Sequence, residues 1–339
     1  MSPSVWIGAV LAVLGGMFQG GFAVPMKYAK KWNHENIWSV FVMTGLVIFP
    51  WILTSLTIPS VFSVYRTAPI RSLILLGACG IGWGIGAVLV GIAFRMLGIG
   101  LGFALILGLS SLLGSLVPFL LGSSQSSSNF QLRLFALGGC IMVAGIAIVS
   151  AAGAIREKAE AGTIEHEGSQ GKRFKAGLII AIVAGVLSSL LSDGIAFTSH
   201  VVDLARQQGA SPVWASNVVL APMTTGGSIA NLIYCAIMMK RNKSLSLFRA
   251  PSVGSHWIYG TSMGAFWYGG LVLYGLGEKS IGSVSGWPLF IGAMILSSSA
   301  AGFLTGEWRF AGRRAKLLLF GGSVLIFMAL IIVGVANNE

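Results

Sequence analysis

Apolar stretches of about twenty residues alternate along the chain with mostly short polar links. A helix that crosses a bilayer needs about 20 mostly apolar residues, each adding about 1.5 Å. Ten stretches meet that requirement: 4–25, 37–57, 72–94, 98–121, 132–153, 176–199, 213–239, 256–276, 283–306 and 314–336. No basic region precedes the first, and no small-x-small site follows an apolar core of leader length, so it is expected to be a retained span. One link is long. Residues 154–175 hold Arg156, Glu157, Lys158, Glu160, Glu165, His166, Glu167, Lys172, Arg173 and Lys175 and read as a solvated linker. The predicted architecture is an all-α integral membrane protein with a five-span half at 1–153, a cytoplasmic linker at 154–175 and a second five-span half at 176–339.

Composition narrows the class further. The chain has 339 residues, 55% of them hydrophobic and only 9% charged. A soluble domain carries about 25% charged residues, so soluble, disordered and disulfide-scaffold classes are excluded. The 47 glycines suit close helix packing in lipid. The net charge of +12 would suggest nucleic acid on a soluble protein. Here the cations lie in the links, where they set topology and meet anionic head groups. The odd-numbered links contain 17 Lys and Arg, whereas the even-numbered links and termini contain five: Arg66, Arg71, Arg133, Arg206 and Lys279. That bias predicts odd links in the cytoplasm and both termini outside the plasma (inner) membrane. Cys79, Cys140 and Cys235 sit in apolar runs without a CxxC spacing, so neither a metal nor a disulfide is expected.

The halves are related. Sliding 78–122 onto 262–306 without a gap gives 15 identities in 45 positions, among them Gly80/Gly264, Trp83/Trp267, Val88/Val272, Gly91/Gly275 and Gly122/Gly306. A shorter match links 13–23 to 186–196. Homologous halves with an odd number of spans must be inverted in the membrane. Inverted repeats support alternating access around a site near the midplane, so a secondary transporter is the expected class. No catalytic constellation, metal-ligand cluster or Walker motif is present, and neither enzyme activity nor a cofactor is expected. Gly80-x-Gly82-x-Gly84-x-Gly86 lacks the preceding strand of a phosphate loop.

Polar residues inside apolar runs are the candidate site. Asp193 is the one acid of ten that lies within a span. A carboxylate in hydrocarbon costs about 2.5–3.5 kcal/mol on insertion scales and faces the bundle interior. Counted from Lys175, it lies about 27 Å along its helix, in the outer part of the membrane, where external protons reach it. Gln19 lies beside Gly20, the repeat-mate of Asp193. Asn217 and Asn231 offer hydrogen bonds to a hydroxylated ligand, although an interhelical bond is the alternative reading. Trp83 and Trp267 are mid-span repeat-mates, with Tyr268 and Trp287 nearby in sequence. Aromatic faces there suit the apolar face of a sugar ring, or simply pack the repeats.

Several stretches together resemble the L-rhamnose–proton symporter family of the drug/metabolite transporter superfamily. They are Lys30-Lys31-Trp32, Trp38-Ser39-Val40, Phe49-Pro50-Trp51, Trp83-Gly84-Ile85-Gly86, Gly226-Gly227-x-Ile229-x-Asn231-Leu232, Trp267-Tyr268 and Glu307-Trp308-x-x-Ala311-Gly312-Arg313-Arg314. The resemblance runs from the first span to the last. It implies inward transport of L-rhamnose or a related small sugar coupled to protons, with sugar, protons and membrane lipids as partners. Glu307, with Arg313 and Arg314 nearby, is expected to act as a cytoplasmic lock. Two places depart from the family: Ala87-Val88-Leu89-Val90 and Gly269-Gly270-Leu271-Val272 are apolar where enteric members are polar. That leaves a second reading open, an exporter or exchanger of another small metabolite such as an amino acid, a nucleotide-linked sugar or an amphipathic compound.

Overall fold

A computed structural model describes residues 3–98, 101–102, 105–110, 112–113, 129–161 and 167–336; the side chains of some helical residues, Trp287 among them, lie outside that description. The described residues form helices and no strand. In hydrocarbon each backbone N–H and C=O needs an internal partner, and a helix supplies it within one segment.

Helix α1 spans Pro3–Gly21 and is followed by a 3-10 turn at Val24–Tyr28. Helix α2 (His34–Val42) continues through a π-helical stretch, Met43–Ile48, into α3 (Phe49–Thr57). Pro50 explains the stretch. It lacks an N–H and its ring collides with the carbonyl four residues back, and a local widening of the helix accommodates both. Helix α4 is short (Val61–Thr67), and α5 (Ile70–Leu97) ends at Gly98, whose φ of 85° is left-handed. Helices α6 (Asn129–Ala161), α7 (Glu167–Phe197) and α8 (Ser199–Gln207) follow. Helix α9 (Asn217–Asn242) leads through a 3-10 turn, Ser244–Arg249, to α10 (Gly254–Leu304) and α11 (Arg313–Ala336).

Among the described residues, six helices are long and apolar enough to span a membrane: Val5–Tyr28, His34–Thr57, Ile70–Leu97, Ala136–Gly153, Gly171–Gln207 and Asn217–Asn242. The chain is a multi-pass membrane protein. Most of the expected span at 98–121 lies outside the described residues. Two expectations change. One uninterrupted helix of 51 residues, α10, covers 256–276 and all of the next expected span up to Leu304. The expected link, 277–282, contains Gly277 and Gly282 but no proline, and glycine weakens a helix by only about 1 kcal/mol per residue. The expected solvated linker is largely helical too, since α6 runs to Ala161 and α7 starts at Glu167. Arg156 within it is buried.

The chain divides into two compact units, each drawing on both halves of the sequence. The first comprises Met1–Gly21, Leu89–Ser189 and Leu273–Glu339, and the second Phe22–Val88 and Leu190–Val272. In the first, α6 packs along α11. In the second, α9 packs against α2 and α3 at its centre, and α4 packs on α8. There a core of Val61, Val64, Leu76, Cys79, Val201, Val202, Val218, Val219 and Met223 is sealed from solvent.

Candidate functional site in the second unit

One face of α5 organises the second unit. Ser72, Cys79 and Trp83 are spaced 7 and 4 apart, so they lie on one stripe. Trp83 leans on α9, where an ideal Cβ added to Gly227 would sit 2.5 Å from Trp83 Cε3. The backbones of α5 and α9 meet here, and a Cβ on Gly84 would fall 2.5 Å from Gly227 Cα. Only residues without side chains permit that approach. On its other side Trp83 meets its repeat-mate Trp267, with ring centroids 5.6 Å apart and planes tilted by 35°. Phe41 lies 6.4 Å from Trp267 and 4.9 Å from Trp38. Thus α2, α5 and α10 build a buried aromatic wall.

Asn231 fixes that wall. Its Nδ2 donates to Gly84 O and to Gly227 O, both at 2.9 Å, and its Oδ1 accepts from Trp38 Nε1 at 2.8 Å. Asn231 is fully buried. Asn231 ties three helices together, with both amide hydrogens donated within the chain. Asn217 is also a tie. Its Nδ2 donates to Thr57 Oγ1 at 3.3 Å and its backbone O accepts from Thr54 Oγ1 at 3.2 Å. Tyr268 differs. It is buried, and its hydroxyl has no hydrogen-bond partner among the described residues. Buried tyrosine hydroxyls ordinarily find one.

Asp193 is 4% exposed. Its neighbour Gly194 abuts α5, where an added Cβ would lie 2.9 Å from Cys79 Cβ. Asp193 also acts electrostatically on Cys79. Cys79 is one helical turn, about 6 Å, from Trp83. Asp193, Trp83, Trp267 and Tyr268 thus belong to one unit.

The remaining expected residues belong to the first unit. Gln19 is buried on α1. Trp287 is on α10, its side chain outside the described residues. Arg313 and Arg314 are exposed. Glu307 lies elsewhere than expected from its neighbours in sequence: it shares a corner with Arg156. A Cβ on Gly98 would fall 2.6 Å from Glu307 Oε2 and 3.1 Å from Arg156 Nη1. Arg156 Nη2 donates to Leu97 O at 2.9 Å, and its Cζ stands 5.2 Å above the Trp308 ring. The corner joins the end of α5, the end of α6 and the segment after α10.

Sequence reasoning missed Arg156 and Glu35. Arg156 sits among alternating charges that read as solvated. Glu35 was counted with the loop acids, yet it is 3% exposed. Its Oε1 accepts from Ser244 Oγ at 2.8 Å, Asn242 Nδ2 at 2.9 Å and Asn33 Nδ2 at 3.2 Å. Three neutral donors satisfy this carboxylate where α2 starts and α9 ends. Two of them lie more than 200 residues away, and no local pattern announces them.

Comparison with known proteins agrees over the full chain. The family profile described as L-rhamnose-proton symport protein matches residues 1–338. The L-rhamnose-proton symporters of Escherichia coli strain 55989 and Escherichia coli O8 strain IAI1 are each 27% identical over 347 aligned residues, covering 99% of this chain and 99% of theirs.

Proposed function

Because the chain belongs to the L-rhamnose–proton symporter family of membrane transporters, we propose that it imports L-rhamnose or a related small sugar together with protons. The observation that carries this reading is the buried Asp193, next in sequence to Gly194 which packs on Cys79 of α5, in the same unit as the paired Trp83 and Trp267 rings. A proton carrier and a surface for the apolar face of a sugar ring then belong to the same unit. The Tyr268 hydroxyl, next in sequence to Trp267, has no partner among the described residues, and a sugar hydroxyl would satisfy it. Trp38 and Asn231 act behind them as positioning residues.

The cycle follows from charge. Asp193 takes a proton from outside, which removes the cost of moving a bare carboxylate through a low-dielectric site. Sugar binds against the aromatic wall. The neutral, loaded site then opens inward and releases both. Ten spans in two inverted five-helix repeats suit this alternation, with the termini outside an inner membrane whose anionic lipids meet the cytoplasmic cations. Two observations support the repeats. The divisions between the compact units follow Val88 and Val272, which are repeat-mates. Gly80 packs closely on Met223 of α9, as its mate Gly264 packs on Thr44 of the second span. Glu307 and Arg156 are the candidate cytoplasmic lock of the first unit, with Arg313 and Arg314 as exposed cations beside it.

The test is uptake of labelled L-rhamnose into proteoliposomes with an imposed inward proton gradient. Wild-type protein accumulates sugar, a protonophore collapses the accumulation, and Asp193→Asn equilibrates sugar without concentrating it. Concentrative uptake by Asp193→Asn would remove Asp193 from the coupling. The apolar runs 87–90 and 269–272 favour a second reading, transport of a less polar metabolite. A thermal-shift panel of sugars, amino acids and amphipathic compounds separates the two.

A further inference from the structure

The outer end of the α5 stripe carries a pair that the cycle above does not use. Ser72 Oγ and His200 Nε2 are 2.6 Å apart, which is hydrogen-bond distance for either tautomer of the imidazole. Ser72 is buried in the first turn of α5, and His200 is exposed in the first turn of α8. Two turns further along the same face of α5 comes Cys79, beside Asp193. One turn beyond that comes Trp83. Between His200 and Asp193 lies the fully buried Thr198, whose hydroxyl donates to Gly194 O at 2.6 Å.

We propose that His200, held by Ser72, is the external relay that collects protons and passes them toward Asp193. The inference rests on Asp193 being the coupling site and on α8 lying outside. The arrangement meets what a relay needs. An imidazole exchanges protons near neutral pH. One nitrogen is fixed by a buried hydroxyl while the ring remains in contact with solvent. Ser72 and Cys79 are seven residues apart, about 10 Å of helix, and the Thr198 hydroxyl is a polar group between His200 and Asp193 in the chain. On α8, Asp203 is paired with Arg206 at 3.2 Å, both half exposed or more. The α5 neighbour is Arg71. Helix α4, packed on α8, brings Arg66, and Tyr65, whose hydroxyl donates to Val218 O at 2.8 Å. The first turns of α9 carry no charge. The nearby cations repel hydronium, which gives a fixed proton acceptor at this mouth its purpose.

Labelled L-rhamnose in proteoliposomes tests it, read in two modes. In counterflow, with sugar on both sides and no gradient, net proton movement is not required. In gradient-driven uptake, it is. His200→Gln is expected to keep wild-type counterflow and to slow gradient-driven uptake by on the order of tenfold. That is less than the hundredfold or more typical of a positioned proton-transfer group, because the opening of the site shares control of the rate. In His200→Ala, external imidazole restores the lost rate in proportion to its concentration. Wild-type gradient-driven uptake by His200→Gln, alongside loss of accumulation in Asp193→Asn, would overturn the relay and leave the coupling site standing. Accumulation by Asp193→Asn would overturn both. Loss of counterflow in His200→Gln without rescue of His200→Ala by imidazole would make His200 a structural residue and overturn the relay.

Discussion

Gly227→Ala is the sharpest probe of the aromatic wall. The new Cβ would stand 2.5 Å from Trp83 Cε3, 2.6 Å from Cζ3 and 3.2 Å from Gly80 O. The obstacle is a rigid ring rather than the end of a flexible chain. The Trp83 ring is itself packed, 5.6 Å from that of Trp267, which lies 6.4 Å from that of Phe41. Two effects oppose each other. Replacing a mid-helix glycine by alanine favours the helix by up to about 1 kcal/mol. Inserting a methyl group into a packed site costs about 1–3 kcal/mol. With the clash against an aromatic ring and a carbonyl together, the cost belongs in the upper half of that range, and the net loss is about 1–2 kcal/mol. If the displaced ring is the sugar platform, the same energy raises the apparent KM for labelled L-rhamnose about 5- to 30-fold, since 1.4 kcal/mol is a factor of ten. Gly226→Ala is the control one residue away. Its Cβ would meet nothing nearer than Gly77 O at 3.3 Å, so stability and KM stay close to wild type. Thermal unfolding in detergent and transport in proteoliposomes give both readouts. Equal behaviour of the two variants, or a wild-type KM for Gly227→Ala, would refute the reasoning.

Three further expectations follow. Asn231→Ala leaves Trp38 Nε1 buried without its acceptor, at a cost of about 1–3 kcal/mol; pairing it with Trp38→Phe in a double-mutant cycle should give losses well short of additive, and additivity would deny the tie. Gly98→Ala forces a φ of 85° on a residue with a Cβ, costing about 1–2 kcal/mol, and pushes Glu307 away from Arg156; a melting temperature equal to wild type would contradict the corner as described. Burial pushes the Tyr65 phenol up from its ordinary value, so the folded protein holds that proton more tightly than the unfolded chain. Its contribution is intact below about pH 10 and is lost as pH rises through the folded-state value. Tyr65→Phe should therefore flatten the alkaline fall in thermal stability, and an unchanged slope would count against it.

The helices were legible in the sequence because hydropathy is local. Each described long helix overlaps an apolar run expected from twenty-residue windows, and Trp83 pairing with Trp267 was foreshadowed by their place in the repeat. Asp193 was legible for the same reason: a single charge in an apolar run is visible without knowing what it touches. Where the local signal was weak, the reading slipped. Residues 277–282 read as a link between two spans but sit within α10.

Tertiary structure alone decided what each polar residue does. Asn231 and Tyr268 were equal candidates by type, yet one bonds Trp38, Gly84 and Gly227 while the other's hydroxyl has no partner among the described residues. Glu35 and Arg156 looked solvated and are buried, satisfied by groups such as Asn242 and Leu97. Trp38 and Asn231 are 193 residues apart. The periodicity of a helix extends over a few turns, so it fixes which segments enter the membrane. The pairing of donors with acceptors depends on which segments meet, and that is set only when the helices pack.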